Sequence, residues 1–339
     1  MKRMKTLLLS PGEIPLAAEI IKKGGLVAMP TETVYGLAAD ALNGQAVANI
    51  FKAKGRPMDN PLIVHISEVS QIYRLVRVFP EKAQLLAQRF WPGPLTIILP
   101  KSDIIPAEVS AGLDTVAVRC PSDKNARRLI ELSAPLAAPS ANLSGSPSPT
   151  TLRHVLADMN GRIDAIIDGG DCEVGVESTV ITLAGEKPRL LRPGGITLEQ
   201  LRETVGEVEV DPAVMNPLKS GEKAASPGMK YKHYSPKADV VLLRGSRDSF
   251  ISFVNSVNEK KTAVLCYDED MQRLELPYIS IGGAEDYCTQ ANRLFSALRE
   301  ADEKGYDRVY AHCPDTQGVG LAVYNRMIRA AGFEVIELE

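Results

Sequence analysis

At 339 residues the chain exceeds what one hydrophobic core usually organises, so two domains are expected. Hydrophobic residues make up 45% and charged residues 24%, with a net charge of −3. That balance argues against a nucleic-acid coat or a membrane-surface protein, and no run approaches the roughly 18 apolar residues needed to span a bilayer.

Five cysteines, Cys120, Cys172, Cys266, Cys288 and Cys313, form an odd set without C-x-x-C spacing. Buried free thiols in a reducing cytosol are expected, rather than a disulfide scaffold or a thiolate zinc site. The start, Met1 to Lys5, is basic, but only Thr6-Leu7-Leu8-Leu9 precedes Ser10-Pro11-Gly12, too short an apolar stretch for a signal peptide. A cytoplasmic location with no membrane partner is expected.

Residues 14–23 read as a helix ended by Gly24-Gly25, and residues 26–29 as a short buried strand. Residues 45–54 read as a second helix, ended by Gly55. Residues 61–66, 95–99 and 115–118 are apolar, β-branched strand candidates. Residues 164–167, 178–183 and 189–191 continue the series before a helix over 197–204. Several strands lie too close for helical crossovers. Residues 1–210 are thus expected to form an α/β domain on a twisted mixed sheet with flanking helices.

Residues 211–237 change in composition. Pro212, Pro217, Pro227, Pro236, Gly221 and Gly228 interrupt them, little periodicity remains, and they read as an interdomain linker. Beyond Asp211 the linker carries Lys219, Lys223, Lys230, Lys232 and Lys237 against Glu222, on a chain that is acidic overall. Such a strip is either a solvated tether or a flap that closes over an anion, and Tyr231, His233 and Tyr234 make it more specific than a tether. From 238 to 339, strands at 240–243, 262–266, 308–311 and 333–338 alternate with helices at 249–257, 287–302 and 322–331. The pattern predicts a smaller C-terminal, Rossmann-like, doubly wound α/β domain. Gly318-Val319-Gly320 resembles part of a dinucleotide fingerprint. Val323 stands where its third glycine belongs, however, and no strand directly precedes the pair.

The richest chemistry lies in Pro30-Thr31-Glu32-Thr33-Val34-Tyr35-Gly36-Leu37, Lys54-Gly55-Arg56-Pro57 and the stretch from Asn60 to His65. These bring hydroxyls, two cations, an amide and an imidazole between strand-like runs. The stretch Gly170 to Gly175 lacks a Walker A lysine, so any nucleotide must be held by another device. Lys54 and Arg56 suit phosphate oxygens, one as a mobile point charge and the other as a planar fork. Alone they read better as solvated cations at a helix C-terminus. Further segments reverse that reading. The strand ending in Arg119 begins at Thr115, and the loop Pro139-Ser140-Ala141-Asn142-Leu143-Ser144-Gly145-Ser146-Pro147-Ser148 follows the apolar Leu136-Ala137-Ala138. A polar loop at the carboxyl end of a strand is where open α/β sheets hold ligands. Ser178 beside Glu177, and Arg192, repeat the arrangement. Both Lys54 and Arg56 are expected at a solvent-filled mouth. His65 reads equally as a satisfied core histidine. No spacing resembles a zinc or di-metal site, and no G-x-S-x-G elbow is present. A divalent ion, Mg²⁺, would arrive with the nucleotide.

Together these residues resemble the YrdC-like family in its long form, the threonylcarbamoyl-AMP synthases with an appended C-terminal domain. Lys54-x-Arg56 and Ser140-x-Asn142 match its K-x-R…S-x-N signature, and Pro30 to Leu37 its N-terminal motif. Ser226 to Pro236 resembles the linker of the long form. The resemblance implies that ATP, L-threonine and bicarbonate give L-threonylcarbamoyl-adenylate and pyrophosphate. The product would feed N6-threonylcarbamoylation of adenosine beside the anticodon of tRNAs that read ANN codons. It further implies that Thr33, His65, Arg119, the Ala138 backbone and Ser178 hold threonine. Arg56, Asn60, Thr115, Ser140, Ser148 and Arg192 would hold ATP, with Lys54 and Asn142 completing the tetrad and Lys54 and Arg56 acting in catalysis. Tyr231, His233 and Tyr234 would close over the nucleotide. The implied partners are tRNA or double-stranded RNA and the enzyme that transfers the threonylcarbamoyl group. Two rival readings, a double-stranded RNA-binding module and a carbamoyl-phosphate-dependent adenylate synthase, are disfavoured by the net acidity and by the lack of zinc-finger and acylphosphatase segments.

Overall fold

The structure is a computed structural model, and it describes residues 5–217 and 233–339. The first part of the chain builds an 11-stranded sheet. Its strands are β1 (Leu7–Leu9), β2 (Val27–Met29), β3 (Gly36–Asp40), β4 (Ile63–His65), β5 (Leu95–Pro100), β6 (Thr115–Arg119), β7 (Leu136–Ala137), β8 (Ala165–Ile167), β9 (Thr179–Thr182), β10 (Arg189–Arg192) and β11 (Glu209–Val210). They lie in the order β1-β8-β2-β3-β7-β4-β6-β5-β9-β10-β11. Parallel pairs such as β4 with β6 alternate with antiparallel ones such as β5 with β6, so the sheet is mixed, as expected. Direct neighbours like β2 and β3 need only a loop between them, and one such loop carries the Thr31–Thr33 motif.

Eight helices flank this sheet: α1 (Ile14–Lys22), α2 (Gly44–Lys54), α3 (Ile72–Leu75), α4 (Glu81–Phe90), α5 (Ala107–Ser110), α6 (Lys124–Leu132), α7 (Leu152–Met159) and α8 (Leu198–Val205). In α1 the buried Ile14, Ala17, Ala18 and Ile21 fall on one stripe at helical spacing. Helix α2 starts where Asn43 accepts the Ala46 N–H, and it stops at Gly55, whose φ of 62° turns the chain away.

The second part forms a five-stranded sheet from β12 (Asp239–Arg244), β13 (Thr262–Cys266), β14 (Tyr278–Ser280), β15 (Arg308–His312) and β16 (Val335–Glu337), with α9 (Arg247–Ser256), α10 (Tyr287–Glu303) and α11 (Gly320–Ala330). All its pairings are parallel, in the order β14-β13-β15-β12-β16. That is the doubly wound arrangement expected. Not anticipated were β1, β3, β11 and β14, which are short or poor in β-branched residues, nor α3, α4, α5, α6 and α7. Of the five cysteines, all free, Cys120, Cys172 and Cys266 are buried as expected. Cys288 departs from that reading: it sits in the first turn of α10, on the solvent side.

Helices α10 and α11 dock the second sheet onto the first domain. Every residue of α11 is buried, because one side meets the second sheet and another meets the first domain. Asn325 Nδ2 donates to the Val214 carbonyl at 2.7 Å, and Arg299 pairs with Asp158 at 2.7 Å. Asn292 Nδ2 donates to the Cys172 and Glu173 carbonyls, both at 2.9 Å. Gly175 has φ +79°, and a Cβ there would stand 2.3 Å from the Asn292 Cα. The two backbones approach as closely as only glycine permits. Gly175→Ala is therefore expected to destabilise the protein by at least about 1–2 kcal/mol, since both the left-handed φ and the contact oppose it. Thermal denaturation checks this, and an unchanged melting temperature would show that the interface yields freely.

Candidate active site

The motif loop is folded by its own side chains. Thr31 Oγ1 donates to the Val34 carbonyl at 2.6 Å and accepts the Thr33 and Val34 N–H groups at 3.2 Å. This short-range bonding lets the chain turn between β2 and β3 without a glycine. The loop is clasped from outside, where the Val174 N–H meets the Glu32 carbonyl at 2.7 Å and the Gly175 N–H meets that of Thr33 at 3.1 Å.

Beneath it lies a pocket. Ile63 and His65, two residues apart on β4, both line it, so it lies over one face of the sheet rather than only at the strand ends. Of the residues singled out from sequence, Thr33, Arg56, His65, Arg119, Ala138, Ser140, Ser178, Arg192, His233 and Tyr234 line it. Lys54, Asn60, Thr115, Asn142 and Ser148 do not. Thr115 stands at the far end of β6 from Arg119, four residues or about 13 Å away. Asn60, Asn142 and Ser148 are buried, Asn142 against Ser140 and Ser148 against Glu177 of the lining. Tyr231 lies outside the described residues, as do Lys219, Lys223, Lys230 and Lys232.

Three guanidinium groups thus face one cavity, and each that is buried is pinned. Arg119 donates from Nη1 to Thr33 Oγ1 at 2.8 Å and pairs through Nη2 with Glu32 at 2.8 Å. Burial alone would raise the Glu32 pKa, but Arg119 outweighs it and holds the carboxyl below its usual range. Arg192 donates from Nε to the Ser178 carbonyl at 3.0 Å and from Nη2 to Ser178 Oγ at 3.1 Å. Thr96 Oγ1 is the other partner of that hydroxyl, at 2.8 Å. Arg56 is half-buried, and burial pulls its pKa down to about 10, so it stays cationic at neutral pH. His65 Nδ1 lies 3.2 Å from the Ile63 carbonyl. Burial and then Arg119 push its pKa down to about 3, and those of His233 likewise to about 3 through burial and Arg56. Both rings are neutral at physiological pH.

Lys54 differs from the expectation of a cation at an open mouth. It is 3% exposed and points inward from the last turn of α2. Its Nζ donates to the carbonyls of Ser140 and Asn142, the latter at 2.7 Å, and to Asn142 Oδ1 at 3.3 Å. Ser140 Oγ donates to that same Oδ1 at 2.6 Å, and Asn142 Nδ2 donates to the Leu143 and Ser146 carbonyls, both at 2.8 Å. Burial and the neighbouring Arg56 lower the lysine pKa. Three acceptors nevertheless call for three N–H bonds, which only the ammonium form supplies. Lys54 and Asn142 therefore shape the loop, and Ser140 and Arg56 present it to the cavity.

Two site residues escaped the sequence reading. Glu177, the one carboxylate among the described lining residues, is 7% exposed and accepts from Ser148 Oγ through Oε1. Its Oε2 pairs with Arg326 Nε of α11 at 2.8 Å. Burial raises its pKa, yet Arg326 and Arg192 together bring it below the usual value. Glu32 was seen only as part of a motif. Tyr234 is fully buried with φ 65°, between the Phe295 ring, 5.3 Å away, and the Arg326 guanidinium, 5.6 Å from the ring centre. Ser235 then ties the linker to both sides: its N–H donates to the Gly145 carbonyl and its hydroxyl to that of Ala330, each at 2.9 Å.

A family model described as "Telomere recombination", covering Sua5, YciO and YrdC proteins, matches residues 19–194. One described as "Threonylcarbamoyl-AMP synthase, C-terminal domain" matches residues 196–332. A threonylcarbamoyl-AMP synthase of Pyrococcus abyssi is 48% identical over 336 residues, covering 96% of each chain. That of Bacillus subtilis is 47% identical over 330 residues, covering 96% of this chain and 94% of its own. A solved structure of P. abyssi Sua5 complexed with L-threonine superposes with a TM-score of 0.91 at 46% identity, covering 98% of this chain and 100% of that one. The chain is an enzyme that belongs to the threonylcarbamoyl-AMP synthase family, in its two-domain form.

Proposed function

We propose that this chain joins L-threonine, bicarbonate and ATP into L-threonylcarbamoyl-adenylate with release of pyrophosphate. The observation that carries this reading is the convergence of Arg56, Arg119 and Arg192 with the hydroxyls of Thr33, Ser140 and Ser178 on one pocket. The relative solved with L-threonine supports the amino-acid half. In this reading Thr33, His65, Arg119, the Ala138 backbone and Ser178 hold threonine. Arg119, aligned by Glu32 and Thr33, offers its remaining N–H bonds to the amino-acid carboxylate. Hydroxyl partners at Thr33 and Ser178 favour threonine over valine, which would leave them unpaired. Arg56, Ser140 and Arg192 face ATP directly. Asn60, Thr115, Asn142 and Ser148 flank or support its site, and His233 and Tyr234 cover it.

The amine nitrogen attacks carbon dioxide derived from bicarbonate and loses a proton, giving a carbamate. A carbamate oxygen then attacks the α-phosphorus, the bond to the bridging oxygen breaks, and pyrophosphate leaves. Negative charge grows on the phosphoryl oxygens, where Arg56 and Arg192 stabilise it. His233 and Tyr234 exclude water that would otherwise decompose the carbamate. Among the described residues no group of three His, Cys, Asp or Glu is placed to hold a metal ion. Mg²⁺ would enter on the oxygens of ATP, neutralising phosphate charge there. We place the reaction in the cytoplasm. No helix among the described residues is long and apolar enough to cross a membrane. The product would pass to a transferase that modifies adenosine beside the anticodon of tRNAs reading ANN codons, and any contact of this chain with tRNA or double-stranded RNA would serve that handover.

Pyrophosphate release is expected only when threonine and bicarbonate accompany ATP; release that ignores either would contradict the reaction. Arg56→Ala should lower kcat/KM for ATP by about 100-fold with little change in melting temperature, as expected for loss of one charge-stabilising group. Lys54→Met should lose both activity and about 2–3 kcal/mol of stability, because it strips buried acceptors of their donor. Equal melting temperatures for the Lys54→Met and Arg56→Ala proteins would refute the separate roles given to these two cations.

A further inference from the structure

We propose that Arg326, contributed by the C-terminal domain, serves the nucleotide half of the pocket by cancelling the charge of Glu177. The proposal rests on the ATP reading above and concerns what the C-terminal domain does for it. A polyanion is repelled by an uncompensated carboxylate, and repulsion is strong where water is excluded. Glu177 is nevertheless built into the lining, so something must neutralise it.

Arg326 is fully buried and held along its whole guanidinium. Nε takes Glu177 Oε2 at 2.8 Å, which leaves Oε1 to accept the Ser148 hydroxyl. Nη2 reaches the Glu177 carbonyl at 3.3 Å, while Nη1 donates to the Pro193 carbonyl and to Asn325 Oδ1, both at 2.8 Å. Glu177 directly precedes Ser178, and Pro193 directly follows Arg192. One side chain from the second domain thus fixes two backbone segments that carry pocket residues, and its cationic face packs on Tyr234, which lines the same pocket.

The alternative is that Arg326 only cements the two domains, and the two roles differ in how Glu177 responds. If Arg326 cancels the Glu177 charge, Arg326→Gln uncovers it: KM for ATP rises about tenfold or more, while KM for threonine stays within about threefold. Removing the uncovered charge then rescues the defect. The double variant Glu177→Gln/Arg326→Gln returns KM for ATP to within about threefold of wild type, and Glu177→Gln alone leaves it at or below wild type. Asn292→Ala, which loosens the same interface away from Glu177, lowers the melting temperature without moving KM for ATP. These values are read from pyrophosphate release by the full chain and from calorimetric binding of a non-hydrolysable ATP analogue. An Arg326→Gln protein with wild-type KM for ATP overturns the proposal, as does a double variant no better than it. If Arg326→Gln fails to fold, Glu177→Gln decides: a tenfold rise in its KM for ATP overturns the proposal. A wild-type chain that binds the analogue but makes no adenylate refutes the proposed reaction, and the binding comparison still tests Arg326.

Discussion

Crowding three guanidinium groups around one cavity is the constraint that the rest of this molecule answers. Like charges repel strongly in such a place, and each must also be desolvated. The fold meets both demands locally. Glu32 backs Arg119 from within the motif loop, and the carbonyl and hydroxyl of Ser178 hold Arg192. Glu177 adds negative charge near Arg192, and Arg326 then balances Glu177 from another domain. A surplus of positive charge remains directed into the pocket, which suits a ligand richer in negative charge than any one amino acid.

That requirement explains architecture as well as chemistry. The mixed sheet lets short loops such as residues 30–35 fold over one face, between antiparallel neighbours, and a purely parallel sheet would have put helical crossovers in their place. The all-parallel second sheet leaves its helices to make the contacts. Helix α11, buried along its length, carries Arg326 to Glu177, and α10 carries Phe295 against Tyr234. The end of the linker is trapped between the two domains through Ser235. The C-terminal domain therefore reaches the back of the site rather than hanging from a tether.

Much of this could be read from the residues alone, and the failures have physical causes. The hydrophobic periods located most strands within a residue or two, and the close spacing of strands showed that the sheet is mixed. Lys54 was misplaced because its neighbours in sequence, Lys52 and Arg56, suggest a solvated helix end. Its true partners, Ser140 and Asn142, lie 86 and 88 residues away. Glu177 and Arg326 are separated by 149 residues, so no local pattern joins them. The one hint was Asn325 and two arginines inside a largely apolar helix, which marks a helix covered on every side. Cys288 showed that membership of a helix does not settle which face a thiol takes. The K-x-R and S-x-N signature points at one stretch of surface, and only geometry separates the residues that face the cavity from those that build the loop behind it.

The most direct measurement is a crystal structure of the full chain with L-threonine and a non-hydrolysable ATP analogue. Triphosphate density against Arg56, Ser140 and Arg192, with the amino acid between Thr33, His65 and Arg119, is the expected result. Nucleotide density at the carboxyl edge of the second sheet, beside α11 and away from these arginines, would contradict it.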